Sequence, residues 1–302
     1  MDCNRPSIPN ELRELMAEIG PQWSPAAHVR LMLEKFSEVH RTAREQPIEI
    51  KSDISYGIHP RQQFDIYLPE DHRRERAALL FVHGGAFLDG HRNRTDQIYA
   101  NVLRYFAANG VVGINIGYRL ADDTKYPGAT DDIGTVVAWA HEHAADIGVD
   151  RRRIFLMGHS AGAAHTGSYA YDRNRQPGDG PGLKGHLVVS GRVRAEALPE
   201  NPNARKVMAY YGTDDPSALT KVSPVTHVSP DSIPTFIAWA EFENPLIDLH
   251  CAELAFRLAQ AKRRSPPLMW LRGHNHTSAI AHINTAEDLL GRAMLDFIDC
   301  PR

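Results

Sequence analysis

The chain has 302 residues, with 34 Lys and Arg against 37 Asp and Glu and a formal net charge of −3. With 42% hydrophobic and 24% charged residues, it excludes a disordered chain and argues against nucleic acid as a partner, which calls for a basic excess on one face. The length suits one large α/β domain, or two small ones, with a sizeable core. Residues 77–82 form the longest clear apolar run near a strand, against about 20 needed for a membrane span, so no membrane partner is expected. Cys3, Cys251 and Cys300 are far apart, without CxxC, and fit a reducing compartment. The opening MDCNRPSIPNELREL has no basic stretch followed by an apolar one. The expected location is cytoplasmic. The 16 histidines alone define no metal site.

Residues 8–45 predict two helices. Leu12, Leu15, Met16 and Ile19 share one face, Gly20-Pro21 breaks it, and Val29, Met32, Leu33, Phe36 and Val39 form the face of a second helix over 25–44. Alternating apolar positions over 48–56 and 63–68 predict half-buried strands. Short apolar runs at 78–82, 111–116, 154–157, 186–189, 235–240 and 267–271 predict buried strands. Helical patterns at 95–109, 131–145, 161–171, 246–262 and 286–299 separate most of them. Strands alternating with helices imply βαβ units. The expected fold class is α/β, with a mostly parallel sheet of about eight strands and helices on both faces. Residues 172–185 read as a surface loop. Residues 191–233, rich in Pro, Asn, Asp and Ser, read as an excursion or a pocket-shaping insertion, with 207–211 their clear apolar run.

Gly158-His159-Ser160-Ala161-Gly162 is a G-x-S-x-G elbow between a predicted strand and a predicted helix. Such a turn lifts the Ser hydroxyl above the sheet, and larger side chains at 158 and 162 would strike neighbouring backbone. Ser160 is the candidate nucleophile. His83-Gly84-Gly85-Ala86-Phe87 follows the strand at 78–82, and its glycines let backbone N–H groups face a substrate oxygen. Gly85, Ala86 and Ala161 are the candidate oxyanion donors. In this order of motifs an acid and then a histidine follow the serine. Glu241, Glu243 and Asp248 follow the strand at 235–240. Glu243 is preferred as a short turn past the strand, with Pro245 opening the next helix, and Asp248 is the alternative. After 267–271 come His274 and His276. His276 is preferred because it stands further out, before a Thr277-Ser278 pair suited to capping.

These residues resemble an α/β-hydrolase fold carboxylesterase, close to the hormone-sensitive-lipase-like and related bacterial esterase groups. The likeness rests on HGGAF at 83–87, Tyr118-Arg119-Leu120, Tyr126-Pro127-Gly128 with Asp131, GHSAG at 158–162, Pro245-Leu246 and GHNH at 273–276. It covers about residues 48–300. The resemblance implies ester hydrolysis through an acyl-enzyme on Ser160, with His276 as base, an acid from 241–248, a small-molecule ester as partner, and no cofactor or metal. Three positions depart from its pattern: Ala86 replaces a third glycine, His159 a common Asp, and Glu243 a common Asp. The resemblance also suggests that residues 1–45 form a helical cap segment and 46–302 the catalytic domain. An apolar short-to-medium acyl or aromatic ester is the default substrate. Phe87, Leu88, Tyr118 and Trp239 are candidate pocket residues. A homodimer is the common assembly to expect.

Other signals have plainer explanations. His141-Glu142-His143 lacks the HExxH spacing, because position 145 is Ala145. Arg151-Arg152-Arg153 suits a helix end or solvent, and Asp131 and Asp132 suit a helix start. The same triad suits an amide, formamide, carbamate or thioester. A non-catalytic binding protein of this fold is the reading from another class.

Overall fold

The computed structural model describes residues 5–44, 46–71 and 75–301. Cys3 and both ends of the 1–45 segment lie outside them. Cys251 is a buried free thiol and Cys300 an exposed one.

A single sheet contains β1 (Ile48–Ser55), β2 (Gln63–Pro69), β3 (Arg76–Val82), β4 (Val112–Ile116), β5 (Val149–His159), β6 (Gly185–Val189), β7 (Thr235–Phe242) and β8 (Leu268–Asn275). Their spatial order is β1-β2-β4-β3-β5-β6-β7-β8. The β1–β2 and β2–β4 pairs are antiparallel, and every pairing among β3 to β8 is parallel. This is the mostly parallel, eight-stranded α/β sheet expected. The strand order reverses around β3, where open α/β sheets form a crevice at the carboxyl ends of their strands.

Side-chain alternation divides the core between the two faces. Leu79 and Phe81 face one layer, while Ala78, Leu80 and Val82 face the other. The first layer is covered by α1 (Asn10–Ile19), α2 (Pro25–Arg41), α3 (Ala100–Ala108), the short α9 (Ser278–Ala281) and α10 (Leu290–Asp299). The opposite face carries α4 (Gly128–Glu142), α5 (Gly162–Tyr171), α6 (Ala204–Tyr211), α7 (Pro216–Val222) and α8 (Ile247–Lys262). Met32 and Phe36 of α2 are fully buried in the first layer, with Leu12, Met16 and Ile19 of α1 beside them. Contacts at both ends pin α2. Trp23 donates to Asn244 Oδ1 at 2.9 Å, His40 Nε2 reaches the Ala281 carbonyl at 2.8 Å, and Arg41 pairs with Asp96 at 3.0 Å.

Several boundaries move for physical reasons. β5 begins at Val149, ahead of its apolar run, because Arg152 and Arg153 sit at a solvated end and pair with Asp150 and Asp299. β7 and β8 run on to Phe242 and Asn275, so the expected loops shrink. The helix predicted from 95 begins at Ala100, after a turn in which Tyr99 takes φ 79°. The helix predicted from 286 begins at Leu290. Pro245 does not open α8; Leu246, at φ 72°, turns the chain into it. The 191–233 segment contains α6 and α7, and the apolar run 207–211 is the end of a helix.

Candidate active site

Five strand ends bring the candidate residues together. Gly84 and Gly85 follow β3, Ser160 follows β5, Arg192 lies past β6, Glu243 follows β7, and His276 follows β8. Parallel pairing puts Val82 beside Gly158, His159 beside Val189, and Phe242 beside Asn275, so these ends are level.

Ser160 has φ 55°, a left-handed conformation that costs about 1–3 kcal/mol for a residue with a side chain. Its neighbours over-determine the turn. A Cβ on Gly158 would lie 2.7 Å from Ala163 N, and one on Gly162 would lie 2.3 Å from Val82 O. Only glycine permits that closeness between elbow, helix and β3. The Ser160 N–H donates to Val189 O at 3.2 Å, and its carbonyl accepts the N–H groups of Ala163 at 3.1 Å and Arg192 at 2.9 Å.

Ser160 Oγ lies 3.0 Å from His276 Nε2, and His276 Nδ1 lies 2.6 Å from Glu243 Oε2. Neutral His276 donating from Nδ1 leaves Nε2 free to accept from the Ser160 hydroxyl. Glu243 is held from three further directions. Ser190 Oγ donates to Oε1 at 2.5 Å, Ala240 N–H donates to Oε1 at 2.8 Å, and Asn244 N–H donates to Oε2 at 3.3 Å. His276 N–H donates to Phe242 O at 3.1 Å, fixing the end of β8 against β7.

The alternatives sit elsewhere. Asp248 is exposed in the first turn of α8. Glu241 is exposed and accepts the Gly273 N–H at 2.8 Å. His274 Nδ1 meets Ser278 Oγ at 3.1 Å and its ring packs on His282, with centroids 4.2 Å apart. Burial, assisted by His282, pushes the His274 pKa down to about 3. The Thr277 side chain does not cap α9. Asn275 Oδ1 does so by accepting the Thr277 and Ser278 N–H groups at 3.1 and 2.9 Å.

The HGGAF loop wraps against the elbow. A Cβ on Gly84 would come 2.8 Å from Ser160 Cβ, and Gly85 at φ 148° would put one 1.8 Å from Asp89 O. Gly85 and Ala86 line a cavity of about 190 Å³ with Ser160 and His276. Ala161 is fully buried at the start of α5. His83 is also buried. It bonds the Gly84 carbonyl through Nδ1 at 2.8 Å, while Tyr118 donates its hydroxyl to His83 O at 2.8 Å. Burial holds His83 well below the ordinary histidine pKa, so it anchors the loop as a neutral ring.

Three of the expected pocket residues belong to the interior. Phe87 stacks on Tyr210 with centroids 5.0 Å apart, Tyr118 is buried against His83 and His165, and Leu88 packs against the same core. Trp239 packs beside α8. The cavity wall instead includes Val29 and Leu33 of α2, Tyr99, His159, Arg192 and Lys206. The His159 ring lies 5.0 Å from that of His276, and Tyr99 Oη lies 3.3 Å from His159 Nδ1. Burial, then the neighbouring His276, holds His159 well below its ordinary pKa. Sequence patterning missed Ser190, Tyr99 and Arg192 because each projects from a turn or loop.

Asp132 does more than begin a helix. It is buried and takes the Arg119 guanidinium at 2.7 Å and the Arg119 N–H at 2.9 Å, holding the loop after β4. Among the described residues no cluster of three or more His, Cys, Asp or Glu side chains could hold a metal, and no helix is long and apolar enough to cross a membrane.

The strand order and the residues on its carboxyl edge define an α/β-hydrolase fold carrying a serine–histidine–carboxylate chain. Residues 64–181 match the family described as BD-FAE. Esterase LipC of Mycobacterium tuberculosis is 38% identical over 110 residues, covering 36% of this chain and 27% of that protein. Versiconal hemiacetal acetate esterase of Dothistroma septosporum is 26% identical over 234 residues, covering 70% of each. An inhibited esterase B from Lactobacillus rhamnosis superposes with a TM-score of 0.73 at 18% identity, over 95% of this chain and 96% of that one. The stronger sequence likeness is thus local, spanning about a quarter of Esterase LipC, whereas the likeness of fold extends over nearly the whole chain.

Proposed function

We propose that the protein hydrolyses carboxylic esters of small molecules through an acyl-enzyme on Ser160. The observation that carries this reading is the unbroken chain from Ser160 Oγ to His276 Nε2 at 3.0 Å and from His276 Nδ1 to Glu243 Oε2 at 2.6 Å, opening on a cavity. As Ser160 Oγ attacks the ester carbonyl carbon, its proton passes to His276 Nε2. Glu243 keeps the ring in the tautomer that can accept, and stabilises the imidazolium that forms. The carbonyl π electrons move to oxygen, and backbone N–H groups at Gly85, Ala86 and Ala161 receive that oxyanion. Gly85 and Ala86 line the cavity beside Ser160, which supports this role. The tetrahedral centre expels the alkoxide, which leaves as alcohol with the proton from His276. Water, deprotonated by His276, then attacks the acyl carbon, and the acid departs as Ser160 regains its proton.

A panel of aryl esters with amide and carbamate analogues tests the reading. Esters should be turned over fastest. Ser160→Ala and His276→Ala should each lower kcat by at least about 10⁴-fold, as loss of one member of such a unit does. His274→Ala should lose far less. Equal losses at His274 and His276 would overturn the choice of base.

A further inference from the structure

The cavity beside Ser160 contains a charge that the reaction above does not use. Arg192 lies just past β6, and its backbone N–H donates to the Ser160 carbonyl at 2.9 Å, which tethers it beside the nucleophile. Arg192 is among the residues that line the same cavity, although it is only 3% exposed. Nη1 is buried and has no hydrogen-bond acceptor among the described residues. Arg92 offers a contrast. It is equally buried, but its guanidinium pairs with Asp53 and with Asp65 at 3.1 Å. The Glu196 carboxylate attracts Arg192 from further away, and that carboxylate is engaged by His250 Nε2 at 2.6 Å. Burial pushes the Arg192 pKa down to about 10, which leaves it charged at neutral pH. Arg94 and Lys206 also line the cavity, with Asp89 as the carboxylate that pairs with Lys206 at 2.9 Å. A desolvated guanidinium is costly to leave unpaired, and its planar fork matches a carboxylate.

We propose that the cavity is built for an ester carrying a carboxylate, which Arg192 binds while Ser160 meets the ester carbonyl. This rests on the ester-hydrolase reading and replaces the plain apolar ester expected from sequence. The charge can reside on the acid or the alcohol portion, so two matched pairs are needed. Monoethyl adipate against ethyl 6-methylheptanoate places it on the acid. 4-Acetoxybenzoate against 4-isopropylphenyl acetate places it on the alcohol.

In at least one pair the charged ester should have a kcat/KM about tenfold or more above its neutral isostere, and added salt should lower that ratio. Arg192→Met should reduce the ratio by about tenfold or more, and Arg192→Lys should retain part of it. Equal or lower kcat/KM for the charged member of both pairs overturns the proposal, and this wild-type comparison decides even if Arg192→Met does not fold. Calorimetric binding to Ser160→Ala separates the two readings. Tighter binding of a charged ester without wild-type turnover of any ester keeps the anion site and removes the ester-hydrolase reading. Equal binding within both pairs overturns the anion site.

Discussion

Glu243 and Asp248 bear the same charge on either side of the entry into α8, and their surroundings separate them. Glu243 receives hydrogen bonds from Ser190, Ala240, Asn244 and His276, whereas Asp248 faces solvent. In the proposed relay, Glu243→Gln replaces an acceptor with an amide and favours the unproductive tautomer. Steady-state kinetics should show kcat falling by about 10³–10⁴-fold. Asp248→Asn should stay within about twofold, as an exposed substitution away from the site. The reverse order would move the acid role to Asp248. Ser160 was legible in the sequence because glycines flank it where Ala163 and Val82 crowd the elbow. Arg192 was not, because hydrophobic periodicity carries no information about the direction of a cation on the 191–233 excursion. Phe87 and Tyr118 misled for a related reason: an aromatic beside a motif can fill a core or line a pocket.

At the scale of the element, α2 has two surfaces with different work. Phe36 and Met32 fill the layer against the sheet, while Val29 and Leu33 meet the cavity. The 3.6-residue period put all four on one face, but could not tell the sheet side from the site side. Phe36→Ala should therefore cost about 3–5 kcal/mol, as loss of a fully buried Phe does. Urea unfolding should show a lower midpoint with an unchanged slope. A loss under about 1 kcal/mol would mean that α2 is dispensable to the core, as a loosely attached lid would be. Because Leu33 is half-buried at the cavity, Leu33→Ala should instead shift ester chain-length preference, measured as kcat/KM across an acyl series.

Across the whole molecule, several histidines are buried. Burial pushes the pKa of His165 and His186 down to about 3; for His274 and His282 burial is again the first cause, reaching about 3 and about 4. Unfolding restores each toward its ordinary value of 6.5, so the unfolded chain takes up protons that the folded chain refuses. Their contribution is intact above pH 6.5 and is lost as pH falls toward 3. One histidine with a folded value near 3 contributes a loss of about 2 kcal/mol at pH 5. Asp288, raised to about 6 by burial, acts in the opposite direction as pH falls through 6. The depressed histidines, which also include His83 and His159, outweigh the raised carboxylates Asp131 and Asp288 and predict a net decline in stability between pH 6.5 and 5, measured by urea unfolding. Among the described residues neither ring nitrogen of His165 has a hydrogen-bond partner, so His165→Leu should lessen that decline. An unchanged stability over this range would contradict the prediction. The sequence made the alternation of strands and helices legible, but not which histidines lie between the layers.

In the proposed function, Ser160 is a nucleophile activated by His276. The most direct measurement is intact mass spectrometry after treatment with an alkyl fluorophosphonate, with peptide mapping of the adduct. One stoichiometric adduct should form on Ser160, absent from folded Ser160→Ala and formed far more slowly by His276→Ala. A folded wild-type protein that stays unlabelled, or an adduct on another residue that persists in Ser160→Ala, would contradict that role.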